Sequence, residues 1–233
     1  MATELKALFL DFCQFLKRSP DLSTFKRLEI LHLAFCKNLE ELHPSIGNLA
    51  SLIELDLSCS SIMKLPKSIG NLQNLRILRS DMSNITELPY AIGTLAKLQQ
   101  LEVGNCPNLK RLPSNICKLI SLEELSVSGC KKIQKLPELP SGLTDLLITC
   151  QGQSLPHLSQ LIRLKILLIV GCGRLECVPE LPIGLSDLQI RQCGKLKALT
   201  NLQAGRSVGA MATATRRRRR GDATAGNALS IHS

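Results

Sequence analysis

The sequence repeats the pattern LxxLxLxxCxxLxxLPxxIxxLxx, in which x is any residue, along most of its length. Nine units follow this pattern, and they begin at Leu5, Leu28, Leu52, Leu75, Leu98, Leu122, Leu143, Leu164 and Leu185. The first five spacings between unit starts are 23 or 24 residues, and the last three are 21. A period of about 20–29 residues restricts the chain to a stack of similar supersecondary units.

The LxL part of each unit alternates with period two, which predicts a short β-strand with both leucines on one face. Neighbouring units then form a parallel sheet, and the LPxxIxxL part returns the chain along the opposite side, where proline needs no ladder hydrogen bond. Stacked units share a core that no single unit can bury. We predict an α/β repeat fold, a leucine-rich repeat solenoid. It is a curved horseshoe with the parallel sheet on its concave face and irregular or 3-10 turns on its convex face.

Composition agrees with a core made of leucine, because the chain has no Trp, one Tyr and five Phe. The longest apolar run, Ile166–Val170, is far shorter than the roughly 18 residues of a membrane span. Charged residues such as Glu4 and Lys6 interrupt the first apolar residues, so the N-terminus does not resemble a secretory signal. We therefore predict a cytoplasmic protein without a membrane partner.

The repeat ends near residue 202, so we predict a solenoid at 1–202 and a disordered basic tail at 203–233. The tail holds six Arg and one Asp, and five of the arginines are consecutive, at 216–220. Such a run can act in nuclear import or nucleic-acid binding. No aromatic residue lies among these arginines to stack on bases, which favours a solvated tail over a nucleic-acid partner.

The ninth template position accounts for six of the ten cysteines. The residues at this position are Cys13, Cys36, Ser60, Ser83, Cys106, Cys130, Gln151, Cys172 and Cys193. We predict that they point inward and bond loop backbone groups as reduced, structural thiols and hydroxyls. A disulfide between stacked neighbours such as Cys106 and Cys130 is the alternative. The remaining four, Cys59, Cys117, Cys150 and Cys177, are expected to be free and incidental.

Motifs of catalysis are missing from the sequence, which has no P-loop, H-E-x-x-H or G-x-S-x-G. The triplet Gly171-Cys172-Gly173 resembles half of a dinucleotide-binding loop, but Glu176 stands where its third glycine belongs. No C-x-x-C pair is present to suggest zinc. The predicted protein is thus not an enzyme and has no cofactor, metal or small-molecule substrate.

The strand residues between the leucines are predicted to face the concave side, where solenoids usually bind partners. One group of candidate contacts is charged: Asp56, Arg79, Glu102 and Glu124. Its first three members are expected to form a row of alternating charge on adjacent strands. A second group is apolar: Leu147, Ile166, Leu168 and Val170. Apolar side chains placed together on a surface often mark an interface.

The segment SPDLSTFKRLEILHLAFCKNLEELHPSIGNLASLIELDLSCSSI, from Ser19, resembles the leucine-rich region of plant TIR–NB–LRR immune receptors. The segments LPELPSGLTDLLITC and VPELPIGLSDLQIRQC resemble the shortened later repeats of that family. The resemblance covers residues 5–202 and implies the recognition region of an intracellular receptor in the defence response. It implies a protein partner: a pathogen effector, a host protein or the receptor's own nucleotide-binding domain. The TIR and nucleotide-binding domains are absent from this sequence.

Two other functions stay open. Segments such as LPKSIGNLQNL also resemble Ras-group-like intracellular leucine-rich repeat scaffolds in signalling. Those scaffolds favour uniform 23-residue units with Asn at the ninth position, whereas this chain has Cys and three 21-residue steps. The second alternative is a nucleic-acid-associated protein that acts through its arginine run. A nuclear location also stays open.

Overall fold

The structure is a computed structural model that describes residues 4–200 and the backbone of residues 228–232. Nine parallel strands form one sheet in chain order, which confirms the predicted leucine-rich repeat solenoid. They are β1 (Ala7–Phe9), β2 (Ile30–His32), β3 (Glu54–Asp56), β4 (Ile77–Arg79), β5 (Gln100–Glu102), β6 (Glu124–Val127), β7 (Asp145–Ile148), β8 (Ile166–Val170) and β10 (Asp187–Arg191). A separate pair of two-residue strands, β9 (Cys177–Val178) and β11 (Ala198–Leu199), lies outside this sheet.

The sheet pairs each repeat with the next in the register that the template predicts. Leu31 pairs with Leu55, and Leu55 pairs with Leu78. These leucines are fully buried, and they belong to one hydrophobic core that runs the length of the stack. The buried leucines of each unit thus contact those of both neighbours, so the solenoid has a continuous core although each strand has only three to five residues.

The repeats at 28–121, here called the long repeats, each return through a five-residue 3-10 helix. These helices are Pro44–Asn48, Lys67–Asn71, Tyr90–Thr94 and Ser114–Lys118. Three of them begin after a proline with φ near −65°, as at Pro66, which sets the chain direction into the helix. The helices pack tightly: a Cβ on Gly47 would lie 2.6 Å from the carbonyl oxygen of Ser68, so this contact requires glycine.

The repeats at 122–184, here called the short repeats, lack a 3-10 helix, and their strands have four or five residues instead of three. Their return segments form no helix, and in the third short repeat β9 pairs in parallel with β11 of the unit that follows. Part of that side therefore has the same ladder spacing as the sheet. The segment LPELP, with two prolines in five residues, favours this extended path over a helical turn.

Thiols at the ninth position form the predicted inward-facing ladder. The Sγ atoms of Cys36, Cys106 and Cys130 donate to the carbonyl oxygens of Leu10, Ser80 and Val103, at 3.0, 3.2 and 3.0 Å. Every described cysteine is a free thiol, so the disulfide alternative is not adopted. The hydrogen bond with Cys106 and burial both raise the pKa of Cys130, which keeps this thiol protonated as a donor.

Cys150 is a free thiol as expected, but the expectation that it is incidental was wrong. Cys150 is buried, its backbone N–H donates to the Sγ of Cys172 at 3.1 Å, and its own thiol bonds the carbonyl of Gln134. Gln151, assigned to the ladder, is partly exposed and donates from its side chain to the Gly171 carbonyl. The chain in this repeat turns inward one residue early, because it lacks the left-handed residue that precedes the ninth position in the other units.

At this irregular turn, the Thr149 side chain makes hydrogen bonds that link neighbouring repeats. Its hydroxyl accepts from the Gly129 N–H at 2.8 Å and donates to the Val170 carbonyl at 2.6 Å. In the long repeats, backbone groups make the equivalent links, as between Cys59 N and Asp81 O. A buried side chain thus replaces two ladder contacts, which keeps backbone groups of both flanking repeats satisfied.

A tenth strand, β12 (Ala228–His232), pairs antiparallel with β10 at the end of the sheet. It lies within the segment for which a structureless tail was predicted. Its register places Ile231 opposite Leu188 and Leu229 opposite Ile190, so an alternating ALSIH segment matches the pleat of β10. The arginines at 216–220 and the rest of 203–227 lie outside the described residues.

Candidate protein-interaction face

One row of side chains crosses the open face of the sheet, on the side away from the core. Its members, in register from strand to strand, are Phe9, His32, Asp56, Arg79, Glu102, Ser126, Leu147, Leu168 and Gln189. All are partly or fully exposed, whereas the leucines that alternate with them are buried. The register predicted for these positions is therefore confirmed, and the candidate contact residues share one surface.

The charged row differs in its pairing from the prediction. Arg79 Nη1 donates to Glu54 Oε1 at 2.5 Å, and its Nε lies 3.7 Å from Glu102 Oε1. Asp56, the expected partner, accepts from the backbone N–H of Ser58 instead. The Asp56 side chain is too short to reach Arg79 once it bonds its own turn. The longer Glu54, two residues earlier on β3, pairs with Arg79 diagonally across the strands.

Asp81 lies just beyond β4 and supports the turn of the next repeat. Its Oδ1 accepts from the Gly104 N–H at 2.5 Å. Burial, together with the neighbouring Glu102, raises the pKa of Asp81 to about 7. Burial and the nearby Glu102 carboxylate therefore both disfavour a negative charge on Asp81.

Glu124 and Asp145 are register partners on β6 and β7. The Asp145 carboxylate accepts from the Thr144 hydroxyl at 2.7 Å. Burial raises the pKa of Glu124, and the charges of Asp145, Glu102 and Glu123 raise it further. Within the described residues Glu124 forms no ion pair or side-chain hydrogen bond, and its side chain is exposed.

The four predicted apolar residues form one patch on β7 and β8, here called the apolar patch. Leu147 pairs in register with Leu168, and Ile166 and Val170 lie two residues to either side of Leu168. Ile166 is 39% exposed, and the other three are partly exposed. An apolar group in contact with water on a rigid sheet is a favourable place for another protein to bury surface.

A second apolar surface was missed in the sequence. It is a ridge along the turns that follow β1 to β4, formed by Phe12, Phe35, Cys59 and Met82. Phe12 and Phe35 stack with ring centroids 4.7 Å apart, and Cys59 Sγ lies 3.7 Å from Met82 Sδ. All four have φ between 55° and 60°, a conformation costly for bulky residues. The ridge could have been predicted from the bulky residues that recur at the eighth template position.

The return side of the solenoid has an open cleft of about 920 Å³ across the long repeats. Its walls include Leu65, Leu88 and Leu112, with Tyr90 at the surface. Arg111 pairs there with Glu87 at 3.2 Å. In residues 4–200, no group of three or more His, Cys, Asp or Glu side chains is placed to hold a metal ion. The described part of the chain also has no helix long and apolar enough to cross a membrane.

The sequence matches the family described as a leucine-rich repeat region over residues 8–199. The chain therefore belongs to the leucine-rich repeat family, whose members are generally non-enzymatic modules that bind protein partners. No curated protein matches the sequence.

Two similar solved structures agree with this fold. The chain is 24% identical to the leucine-rich repeat domain of the type III effector XopL, with a TM-score of 0.57, over 86% of this chain and 78% of that domain. It is 20% identical to a TDR receptor, with a TM-score of 0.52, over 78% of this chain and 36% of the receptor chain. A leucine-rich repeat protein of Leptospira interrogans is 26% identical with a TM-score of 0.46. The match covers 79% of this chain but only 62% of the Leptospira chain.

Proposed function

We propose that this chain is the recognition region of a plant intracellular immune receptor and acts in the cytoplasm by binding a protein through the open face of its sheet. The partner is a pathogen effector, a host protein or the nucleotide-binding domain of the same receptor. The shortened LPELP repeats and the cysteine ladder support this proposal, since both are features of the receptor sequences that the chain resembles.

The apolar patch is the observation that carries the proposal. Leu147 and Leu168 replace the polar and charged residues that fill the same row on β3 to β6. They contribute nothing to the core, because the inward-facing Leu146 and Leu167 already fill it. Solvent-facing leucines at the centre of a rigid face are typical of a docking site.

Co-expression in plant leaf cells tests this function. Tagged wild-type chain is compared with a variant that carries both Leu147→Asp and Leu168→Asp, against a panel of receptor nucleotide-binding domains and pathogen effectors. We expect at least one panel member to bind the wild type and to lose binding to the variant, while the circular dichroism and Tm of the two proteins agree. The matched control, Ile120→Asp with Ile162→Asp, changes two exposed isoleucines outside the sheet and should keep binding.

Two results would contradict the proposal. Binding that survives the double leucine substitution would remove the apolar patch from the interface. A wild type that binds no domain or effector in the panel but binds a Ras-type GTPase would favour the signalling-scaffold alternative. The described residues offer no specific support for the nucleic-acid alternative.

A further inference from the structure

The apolar patch borders a line of carboxylates on the same open face. Glu102, Glu124 and Asp145 lie on the neighbouring strands β5, β6 and β7, and together they are called the acidic strip. Asp145 belongs to the same strand as Leu147 and pairs in register with Ile166 of the patch. Apolar and anionic surfaces therefore meet without a gap, within one rigid sheet.

The acidic strip carries more negative charge than its surroundings neutralise. Arg79 is the cation beside it, and Arg79 already contacts Glu54 at 2.5 Å and Glu102 at 3.7 Å. Among residues 4–200, neither Glu124 nor Asp145 has an arginine or a lysine within ion-pair distance. The whole chain has a net charge of +10, so this strip is opposite in sign to the protein that carries it. Such a local reversal of charge attracts a basic partner and orients it.

We propose that the open face binds an extended segment of a partner protein in which apolar side chains are followed by arginine or lysine. The apolar side chains would contact Leu147 and Leu168, and the cations would pair with Glu124 and Asp145 and approach Glu102. This inference rests on the proposed function, because it specifies the chemistry of the partner that the apolar patch receives. The contact with Leu147 and Leu168 buries apolar area, and the acidic strip determines the direction in which the segment lies.

Strand spacing sets the pattern of the segment. Neighbouring strands lie about 4.8 Å apart, so β6 and β5 are roughly 10 and 14 Å from β8. An extended chain that crosses the strands places side chains on one face about every 6.8 Å. The pattern Leu-x-Leu-x-Arg-x-Arg therefore brings its leucines over β8 and β7. Its arginines follow at roughly 14 and 20 Å, within side-chain reach of the strip.

Fluorescence anisotropy with the full chain tests this proposal. The probe is a labelled peptide, Leu-Ser-Leu-Ser-Arg-Ser-Arg-Ser. We expect the double variant Glu124→Gln with Asp145→Asn to weaken peptide binding by about tenfold or more and to reduce its dependence on salt, because two ion pairs are lost. The matched control, Glu40→Gln with Glu138→Gln, removes two carboxylates outside the strands and should keep the wild-type affinity.

The same assay separates this inference from the function on which it rests. Leu147→Asp with Leu168→Asp should abolish peptide binding even though it adds negative charge. If that variant loses the peptide while Glu124→Gln with Asp145→Asn does not, the apolar patch stands and the basic partner is excluded. A wild type that binds a glutamate version of the peptide equally well would also overturn the proposal. So would tighter binding after the arginines at 216–220 are replaced by serine, because the chain's own arginine run would then be the occupant.

Discussion

The long and short repeats differ in how the chain returns from one strand of the sheet to the next. In the long repeats a 3-10 helix follows each strand, and the strands have three residues, as in β3 and β4. In the short repeats the return forms no helix, and the strands have four or five residues, as in β7 and β8. A helical turn is wider than the roughly 4.8 Å between strands. Helical returns therefore increase the spacing between neighbouring units on the return side, and non-helical returns allow a spacing closer to that of the sheet. The difference indicates that the length of the return controls how long neighbouring strands stay paired.

The chemical character of the open face also changes near the boundary between the long and short repeats. Over the long repeats it is charged, with Arg79 between Glu54 and Glu102. Over β7 and β8, which begin the second and third short repeats, it becomes apolar at Leu147 and Leu168. The ridge of left-handed Phe12, Phe35, Cys59 and Met82 likewise ends before the short repeats, where Gly129 and Gly171 occupy that turn position. The two regions thus share a core and differ in their surfaces.

The thiol ladder is common to both regions, and breaking it should give the largest effect. Cys106→Asp and Cys172→Asp each place an unpaired charge in the core, and each should lower the free energy of unfolding by about 3–5 kcal/mol. Cys106→Ser should cost little, because Ser60 and Ser83 already occupy this position. Urea denaturation measures all three. Equal stability of the Asp and Ser variants at Cys106 would contradict a buried ladder.

Thr149 belongs to the short repeats alone, so its replacement should distinguish the two regions. Thr149→Val removes the hydroxyl that bonds Gly129 N and Val170 O, so two partly buried backbone groups lose this hydrogen bond. We expect a loss of about 2–3 kcal/mol in urea denaturation. Thr149→Ser keeps the hydroxyl and should cost much less. Ser58→Val, at the equivalent position of a long repeat, should cost under about 0.5 kcal/mol, and a similar loss there would remove the distinction.

The titration of Asp81 should make the stability of the protein depend on pH, which probes the charged part of the open face. The pKa of Asp81 is raised to about 7 in the folded protein, mainly by burial and by Glu102, with a further contribution from Cys106. The folded state therefore binds the proton more tightly than the unfolded state, and this carboxyl makes the protein less stable as pH rises from about 4 to 7.

Asp81→Asn keeps an acceptor for the Gly104 N–H and removes that titration. The variant should be more stable than wild type by about 1–2 kcal/mol at pH 8, after a reduction for solvent screening, and no more stable at pH 4. Thermal unfolding across this range checks it. Parallel curves for the two proteins would show that the carboxyl does not titrate in this window.

Substitutions at the eighth template position, in the turn just before the thiol ladder, should have the smallest effect on stability. The sign of this effect should differ between the long and short repeats. Met82 has φ of 55° in a long repeat, and Gly171 has φ of 68° in a short one. Met82→Gly relieves strain and should raise stability by about 0.5–1 kcal/mol, whereas Gly171→Ala should lower it by a similar amount. A loss of stability in Met82→Gly would show that the ridge contributes more through its contacts than it costs in strain.

Much of the molecule follows from periodicity. The template located all nine parallel strands, the inward leucines and the row from Phe9 to Gln189, because period two in a strand assigns each residue to a face. The same periodicity placed Leu147 beside Leu168 on the surface. It failed at Cys150, where an irregular turn shifts the buried residue by one, because a template cannot represent a change in turn geometry.

By itself, then, the sequence determined the solenoid, its core and which side chains share the open face, since these depend on local spacing repeated nine times. Only the tertiary structure decided which groups pair across that face. Arg79 contacts Glu54 rather than Asp56, and Thr149 joins Gly129 to Val170 across three repeats. The physical reason is that such contacts depend on side-chain length, direction and competing backbone donors, which neighbouring repeats supply from about 20 or more residues away in the chain.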